Sequence, residues 1–271
     1  QKGLGKSTLA YHFINYVLSK KENYEYDINN YEINPENQSF KTITNKSNTN
    51  FIIIDINPEK KNIEINQIRE LITNLNKSSF NDKPRFVLID NIEFLNTNAT
   101  NAMLKILEEP NYNIHFILIN NNKKVLPTLL SRCINFRISL TNKESIIIAD
   151  KLLNKNLSKK INNDLLDYYL TPGKIYNLVK FGDEYNVDLE NINLKDFLRL
   201  IIKDNYYKKD NFMKYMIYDF IEFYFRKINS SFSNKIYNKY SYFLKRISDT
   251  RNFNLDEESL FIEFNEEILN G

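Results

Sequence analysis

Gln1-Lys-Gly-Leu-Gly-Lys-Ser-Thr8 opens the chain and matches a phosphate-binding loop. That motif reads G-x-x-x-x-G-K-[ST], and the stretch supplies every position of it except the leading glycine. Gly3 and Gly5 allow backbone conformations that a side chain would hinder, so successive amides can face phosphate oxygens. We therefore expect Lys6 to reach the β- and γ-phosphates and the Ser7 hydroxyl to bind Mg²⁺.

A predicted helix follows the loop, with apolar residues at spacing four in two rows: Leu9, Phe13 and Val17, and Ala10, Ile14 and Leu18. Its positive end would face the phosphates. The motif begins without its first glycine, so we expect that an N-terminal stretch, with the strand that feeds the loop, is missing from this chain. The alternative is a glycine-rich capping turn with an exposed lysine, which the strand-end motif described next disfavours.

Strands and helices alternate after the loop. The pattern predicts buried strands at 51–55, 86–90 and 115–119, and amphipathic helices at 64–75 and 97–108. Pro58 and Pro110 are predicted to end the first strand and the second of these helices. The polar segment 21–50 has no period and is predicted to be a loop. This alternation predicts an α/β fold, a parallel sheet with helices on both faces, whose ligands bind at the carboxyl ends of the strands.

A carboxylate, Asp90, ends the second predicted strand. Phosphate-loop NTPases hold Mg²⁺ with an aspartate at this place, and the loop at Lys6 favours that role over a loop-capping one. Hydrolytic AAA+ proteins usually place a glutamate next, but here Asn91 follows, and an amide cannot accept the proton of the attacking water. Glu93 lies two residues further along. We expect nucleotide binding with weak or absent hydrolysis.

The amino-acid composition limits the classes of protein to which this chain can belong. The 271 residues are 42% hydrophobic and 26% charged, which excludes a disordered chain. The apolar runs 51–54 and 146–148 are far shorter than the ~20 residues of a membrane span, and no signal segment is apparent. One cysteine excludes an intrachain disulfide and a multi-cysteine zinc site. We expect a cytoplasmic protein with no zinc and no membrane partner; a net charge of +3 does not by itself indicate nucleic-acid binding.

Three ordered segments, 85–96, 101–110 and 126–133, resemble the clamp-loader AAA+ subunits of bacterial DNA polymerase III. The second reads Asn-Ala-Met-Leu-Lys-Ile-Leu-Glu-Glu-Pro, and the third ends on Ser131-Arg-Cys133. The likeness spans about residues 1–182. It implies a truncated AAA+ nucleotide-binding core at 1–140, a small helical lid at 141–185 and an all-helical collar domain at 186–271.

Beyond residue 140 the pattern is helical. Thr141 and Glu144 form a capping box. Aromatic and aliphatic residues recur every three or four positions through 212–224 and 240–247, which favours a core or a subunit interface over base stacking. By resemblance, this collar holds a five-membered ring together.

Within the family, the resemblance is to the delta-prime type and not to the gamma/tau motor. The motor type has a glutamate where Asn91 stands and a four-cysteine zinc module, which this chain lacks. The family's Gly-Ser-Pro-Gly-Arg becomes Leu170-Thr-Pro-Gly-Lys174, in which the threonine can cap the next helix and the proline fits its first turn. Lys174 keeps the charge of the γ-phosphate-sensing arginine but loses its bidentate fork.

The resemblance also implies site residues. Arg132 would project across the subunit boundary to a neighbour's γ-phosphate, as a finger in trans; a surface arginine paired with a local carboxylate is the alternative. Lys105 is a weak candidate for contacts to DNA phosphates. The residues implied for ATP or ADP, with Mg²⁺ at Ser7 and Asp90, are Gly3, Leu4, Gly5, Lys6, Ser7, Thr8, Asp90, Asn121 and Lys174.

The implied function is to work with the motor (gamma/tau) and delta subunits, opening the sliding clamp and placing it on primed DNA. Two alternatives stay open. A motor subunit or another DNA-remodelling AAA+ protein would hydrolyse ATP by itself. An unrelated phosphate-loop kinase would have a substrate pocket and a catalytic carboxylate, and leaves Ser131-Arg-Cys133 unexplained.

Overall fold

A computed structural model describes residues 1–57, 60, 62–78, 80–109, 111–121, 125–154, 157, 160–228, 234–253 and 255–270. The chain divides into two compact units, Gln1–Ser139 and Leu140–Gly271. Pro58 and Pro110, predicted above to end two elements, lie outside the described residues.

The first unit combines helices with a parallel sheet. Its elements are α1 (Lys6–Leu18), α2 (Gln38–Thr44), β1 (Phe51–Ile54), α3 (Ile65–Leu75), β2 (Arg85–Ile89), α4 (Thr97–Glu108), β3 (Ile114–Leu118) and α5 (Pro127–Leu130). A 3₁₀ turn, Ile92–Phe94, follows β2.

The sheet has the order β1-β2-β3 and is parallel throughout. Ile54 pairs with Ile89, and Ile89 with Leu118. The residues that follow these three therefore emerge side by side at one edge, which brings Asp55 and Asp90 close to the segment after β3. This is the edge at which ligands bind in parallel sheets.

The middle strand β2 is buried on both faces. Phe86 and Leu88 pack toward α1 and α2, while Val87 and Ile89 pack toward α3 and α4. Each of these side chains stabilises the fold by about 1.5–3 kcal/mol when it is fully buried. The predicted α/β fold with helices on both faces is confirmed, and β2 anchors both helical layers. Their buried apolar residues are, on one face, Ala10, Ile14, Leu18 and Ile43 and, on the other, Ile68, Leu71, Leu75, Ala99 and Met103.

Two details differ from the sequence analysis. Segment 21–50 is not a continuous loop, because it contains α2, whose N-cap Asn37 accepts a hydrogen bond from the Phe40 amide at 2.8 Å. Only Ser39 and Ile43 of its seven residues are buried, so no apolar period marks it. On α1, the Ala10 row is buried, whereas the Leu9 row includes side chains exposed by half or more.

The second unit is helical across its described residues. Its helices are α6 (Asn142–Leu153), α7 (Asn163–Leu166), α8 (Pro172–Tyr185), α9 (Leu194–Lys203), α10 (Tyr206–Lys209), α11 (Asn211–Ile228), α12 (Asn234–Phe253) and α13 (Glu257–Phe264), and a π-helical turn, Asn265–Leu269, ends it. The predicted capping box starts α6, where the Thr141 amide donates to Glu144 at 2.7 Å. In the described part of the chain, no helix is both long and apolar enough to cross a bilayer.

One apolar cluster runs through this helical unit, from Ala149 to Leu269. It contains six fully buried phenylalanines, of which Phe181 lies in the predicted lid and the others in the predicted collar. The lid and the collar thus share a core, and the division at residue 185 stays a prediction. The six are Phe181, Phe197, Phe220, Phe243, Phe261 and Phe264.

Candidate nucleotide-binding site

Two glycines shape the loop before α1. Gly3 and Gly5 have φ angles of 86° and 82°, in the left-handed region that costs other residues about 1–2 kcal/mol. A Cβ added to Gly5 would meet no atom within 4 Å, so its backbone conformation, and not space, requires glycine there. Gly5 is the N-cap of α1 and has no side chain to cap the helix. The first amides of α1 can therefore donate to an anion.

The ammonium group of Lys6 lies against this loop and donates to the carbonyl of Gln1. Partial burial lowers the pKa of Lys6, and the carboxylates of Asp90 and Glu93 oppose this effect because they favour the charged form. The lysine and the two carboxylates thus share one electrostatic environment, although Asp90 is 84 positions further along the chain.

The hydroxyl of Ser7 donates a hydrogen bond to the carboxylate of Asp90. This contact joins the first turn of α1 to the carboxyl end of β2. A hydroxyl and a carboxylate are both oxygen ligands that suit Mg²⁺. Among the described residues, no group of three or more histidine, cysteine, aspartate or glutamate side chains could hold a metal. The pair therefore fits a Mg²⁺ ion that takes its other ligands from nucleotide phosphates and water.

A chain of hydrogen bonds crosses the ends of all three strands. The Asn91 side-chain amide donates to Asp55 at 2.8 Å and accepts from the Asn121 side chain, also at 2.8 Å. The backbone amide of Asn121 donates to a carboxylate oxygen of Glu93 at 3.2 Å. Asn121, predicted above to bind nucleotide, therefore contacts Asn91, the residue directly after Asp90.

Asp55 was not among the residues predicted for the site. Asp55 ends the first predicted strand, just as Asp90 ends the second. This shared position at the carboxyl end of a strand is the feature of the sequence that could have identified it. Asn91 has a φ of 59°, a left-handed conformation that asparagine tolerates better than most residues, and it begins the 3₁₀ turn that carries Glu93. This backbone conformation sets the direction of the amide across the strand ends.

Arg132 lies just after α5. Its guanidinium is 2.5 Å from a carboxylate oxygen of Glu108, at the end of α4, and donates to the Thr128 carbonyl at 2.8 Å. Glu108 is thus the local carboxylate that the alternative interpretation, a surface arginine in an ion pair, requires. Both partners are partly exposed, at 32% and 50% of their side-chain surface. Burial raises the pKa of the neighbouring Cys133 thiol, which suits a small packing residue better than a nucleophile.

Lys174 lies in the helical unit, in the first turn of α8. The predicted cap is present: Thr171 is the N-cap residue, its side chain accepts from the Lys174 amide, and Pro172 occupies the first helical position. The Lys174 ammonium forms an ion pair with Asp219 of α11 at 2.7 Å. Its charge is therefore engaged inside its own unit.

Three other implied residues have simple surroundings. Leu4 is half-buried in the loop, and Thr8 is exposed in the first turn of α1. Lys105 is exposed in the last turn of α4. Their roles toward nucleotide and DNA stay predictions.

Comparison with known proteins gives a family match. The model of the family described as "DNA polymerase III, delta subunit" matches residues 1–142, which is half of the chain. This stretch holds the phosphate loop, the three strands and Arg132.

Curated relatives match over shorter stretches. DNA polymerase III subunit delta' of Buchnera aphidicola subsp. Baizongia pistaciae is 36% identical over 107 residues, covering 39% of this chain and 32% of the relative. Subunit gamma of Buchnera aphidicola subsp. Schizaphis graminum is 34% identical over 97 residues, covering 35% and 26%. The chain thus spans about a third or less of the length of these relatives. The match to a crystal structure of a DNA polymerase III gamma-subunit-related protein from Thermotoga maritima covers 79% of this chain and 81% of that chain, at 20% identity and a TM-score of 0.43.

Proposed function

Since the chain belongs to the DNA polymerase III delta subunit family, we propose that it acts as a clamp-loader subunit of the delta-prime type. It would join gamma/tau and delta subunits in a five-membered ring in the cytoplasm and help place the sliding clamp on primer-template DNA. The delta' relative supports this assignment, and the gamma relatives keep the motor type as the alternative.

The subunit binds ATP or ADP with Mg²⁺ in this proposal. The observation that carries it is the hydrogen bond between Ser7 and Asp90, which joins the phosphate loop to the strand-end carboxylate. Lys6, Ser7 and Asp90 form the centre, and Asn121 belongs to the adjoining hydrogen-bond chain. The open amides of α1 would receive phosphate oxygens. When bound, Mg²⁺ would supply positive charge between Asp90 and the phosphates.

Hydrolysis by the subunit alone is weak or absent in this proposal, and the surroundings of three residues support that view. Asn91 has no carboxylate, and its amide is already bonded on both sides. Glu93, the nearest candidate for a base, accepts from the Asn121 backbone amide. Lys174 is paired with Asp219. A kinase lacks comparable support, because the family match covers the phosphate loop and Arg132 together.

Arg132 acts on a neighbour's nucleotide in this proposal, and Lys105 contacts DNA phosphates at most weakly. Arg132 has the exposure that a finger in trans needs, since about a third of its side chain is open to solvent. The ion pair with Glu108 does not prevent Arg132 from leaving it for a neighbour's nucleotide, because surface ion pairs contribute only about 0–1 kcal/mol of stability.

The decisive experiment is nucleotide binding by the Lys6→Ala variant, measured by titration calorimetry with ATP and Mg²⁺. Loss of the ammonium removes the charge that faces the β- and γ-phosphates, so we expect binding to disappear. Lys20→Ala is the matched control, because Lys20 is exposed just after the other end of α1, where its ammonium lies over the Tyr16 ring. Equal affinities for wild type and Lys6→Ala would refute the nucleotide site.

A further inference from the structure

The helical unit contains a cavity of about 420 Å³, and every residue that lines it belongs to this unit. Its wall is formed by α9, α10, α13 and the π-helical turn. Ligand pockets in proteins commonly measure about 300–1,000 Å³. Ile202 and Ile262 belong to the apolar part of the wall, and the side chain of Ile262 is 47% exposed. The cavity therefore offers uncovered apolar surface to a ligand.

The charged side chains of the wall favour an anionic ligand. Arg199 is paired with Asp196 at 3.2 Å, and Glu258 is paired with Lys208 at 2.8 Å. Lys203 is exposed at the end of α9 and has no ion-pair partner among the described residues. The wall thus carries one positive charge that these neighbours do not neutralise, and a carboxylate matches it.

Three asparagines, Asn205, Asn265 and Asn270, also line the cavity. The amide oxygen of Asn265 is buried without a hydrogen-bond partner in the described part of the chain, and the side-chain amides of the other two bond to no described residue. An amide side chain can both donate and accept, which is what the N–H and C=O groups of a peptide backbone require. A simple aliphatic acid has no such groups to offer, so the wall suits a peptide better.

We propose that this cavity binds a short extended peptide segment of a partner protein. The segment carries an acidic side chain, which pairs with Lys203, and an apolar side chain, which covers Ile262. The asparagines bind its backbone. This inference is independent of the proposed nucleotide binding, because the phosphate loop lies in the other unit.

The first test uses a library of capped hexapeptides, in which one aspartate or glutamate and two of leucine, isoleucine or phenylalanine occur in all orders. We expect the whole chain to enrich such peptides. Replacing the acidic residue by its amide, or introducing Lys203→Glu, should weaken binding about fivefold or more in fluorescence anisotropy, since an exposed ion pair contributes up to about that factor. Lys180→Glu is the matched control, because Lys180 is exposed on α8 and does not line the cavity.

The second test removes apolar surface. Ile262→Ser should weaken binding of the enriched peptides about fivefold, because a half-exposed isoleucine has about half of its surface left to bury. Ile147→Ser is the control, since Ile147 is 54% exposed on α6 and lies outside the cavity wall. Melting temperatures of all variants confirm that they are folded.

Three results would overturn the proposal. One is that no acidic, apolar peptide is enriched. Another is that Lys203→Glu and Lys180→Glu bind the enriched peptides equally well, which would place the peptide elsewhere. The third is that a single-stranded DNA oligonucleotide binds in a Lys203-dependent way while the peptides do not, since the lysine would then face phosphate. A failure of nucleotide binding by the other unit would leave each of these outcomes unchanged.

Discussion

Arg132→Ala tests the part of the proposed function that acts outside the subunit. An arginine finger raises turnover at the site it serves by about 10³–10⁵ in well-studied NTPases. The Glu108 ion pair is partly exposed and contributes at most about 1 kcal/mol, a factor of about five. The gain at a neighbour's γ-phosphate therefore far exceeds the cost of leaving Glu108.

These magnitudes give different expectations for two variants. In a ring reconstituted with gamma/tau and delta subunits, Arg132→Ala should nearly silence the one site it serves and lower the DNA- and clamp-stimulated ATPase in part, because the other sites keep turning over. Glu108→Gln should change the same rate by no more than about fivefold at that site. Nucleotide binding by this subunit should be unaffected in both.

Arg137→Ala is the matched control, since Arg137 is an exposed arginine five positions away. Steady-state ATPase and clamp loading are measured for all three variants. Unchanged ring ATPase with Arg132→Ala would leave only a scaffold role, and a loss with Arg137→Ala of the same size would show that the segment, not the finger, matters. Robust turnover by the subunit alone would instead favour the motor type.

Two further predictions concern stability. Leu88→Ala should lower the free energy of unfolding by about 2–5 kcal/mol, because this fully buried side chain lies in the middle strand; a change below ~1 kcal/mol in urea unfolding would contradict the packing. Burial raises the pKa of Glu22, but hydrogen bonds from Ser39 and the ion pair with Lys83 outweigh it, so the pKa lies below its ordinary value of 4.5. Glu22 therefore stabilises the fold above that pH and loses its effect as the pH falls below it. The melting-temperature gap between wild type and Glu22→Gln should close in acid, and a constant gap from pH 7 to pH 3 would exclude this role.

Elements with a strong local signal were predictable. Helix α4 was predicted at 97–108 and is observed at Thr97–Glu108, where its asparagine cap and apolar period agree. Strand β3 was predicted at 115–119 and is observed one residue earlier, at Ile114–Leu118. In α1 the period identified two apolar rows, but both have the same spacing, so it could not tell which row packs on the sheet.

The site was predictable only where a motif fixes it. The parallel sheet and the loop motif together imply that Ser7 and Asp90 meet. No pattern links Asp55 to Asn91, because an aspartate after a strand is common and its partner is 36 positions away. The pairs Arg132–Glu108 and Lys174–Asp219 span 24 and 45 positions and lie on different elements, so only the packing of those elements reveals them.

The shared core of the helical unit has a mechanical consequence. Phe181 of α8 packs edge-on against Phe197 and Tyr206, with ring centroids 6.2 Å and 5.2 Å away. Bending the chain at Asn186, just after α8, would separate these rings and expose the side chain of Phe181. The loss of burial of this one side chain would cost about 1.5–3 kcal/mol. The rings that join α8 to α9 and α10 therefore resist bending of the chain at this position.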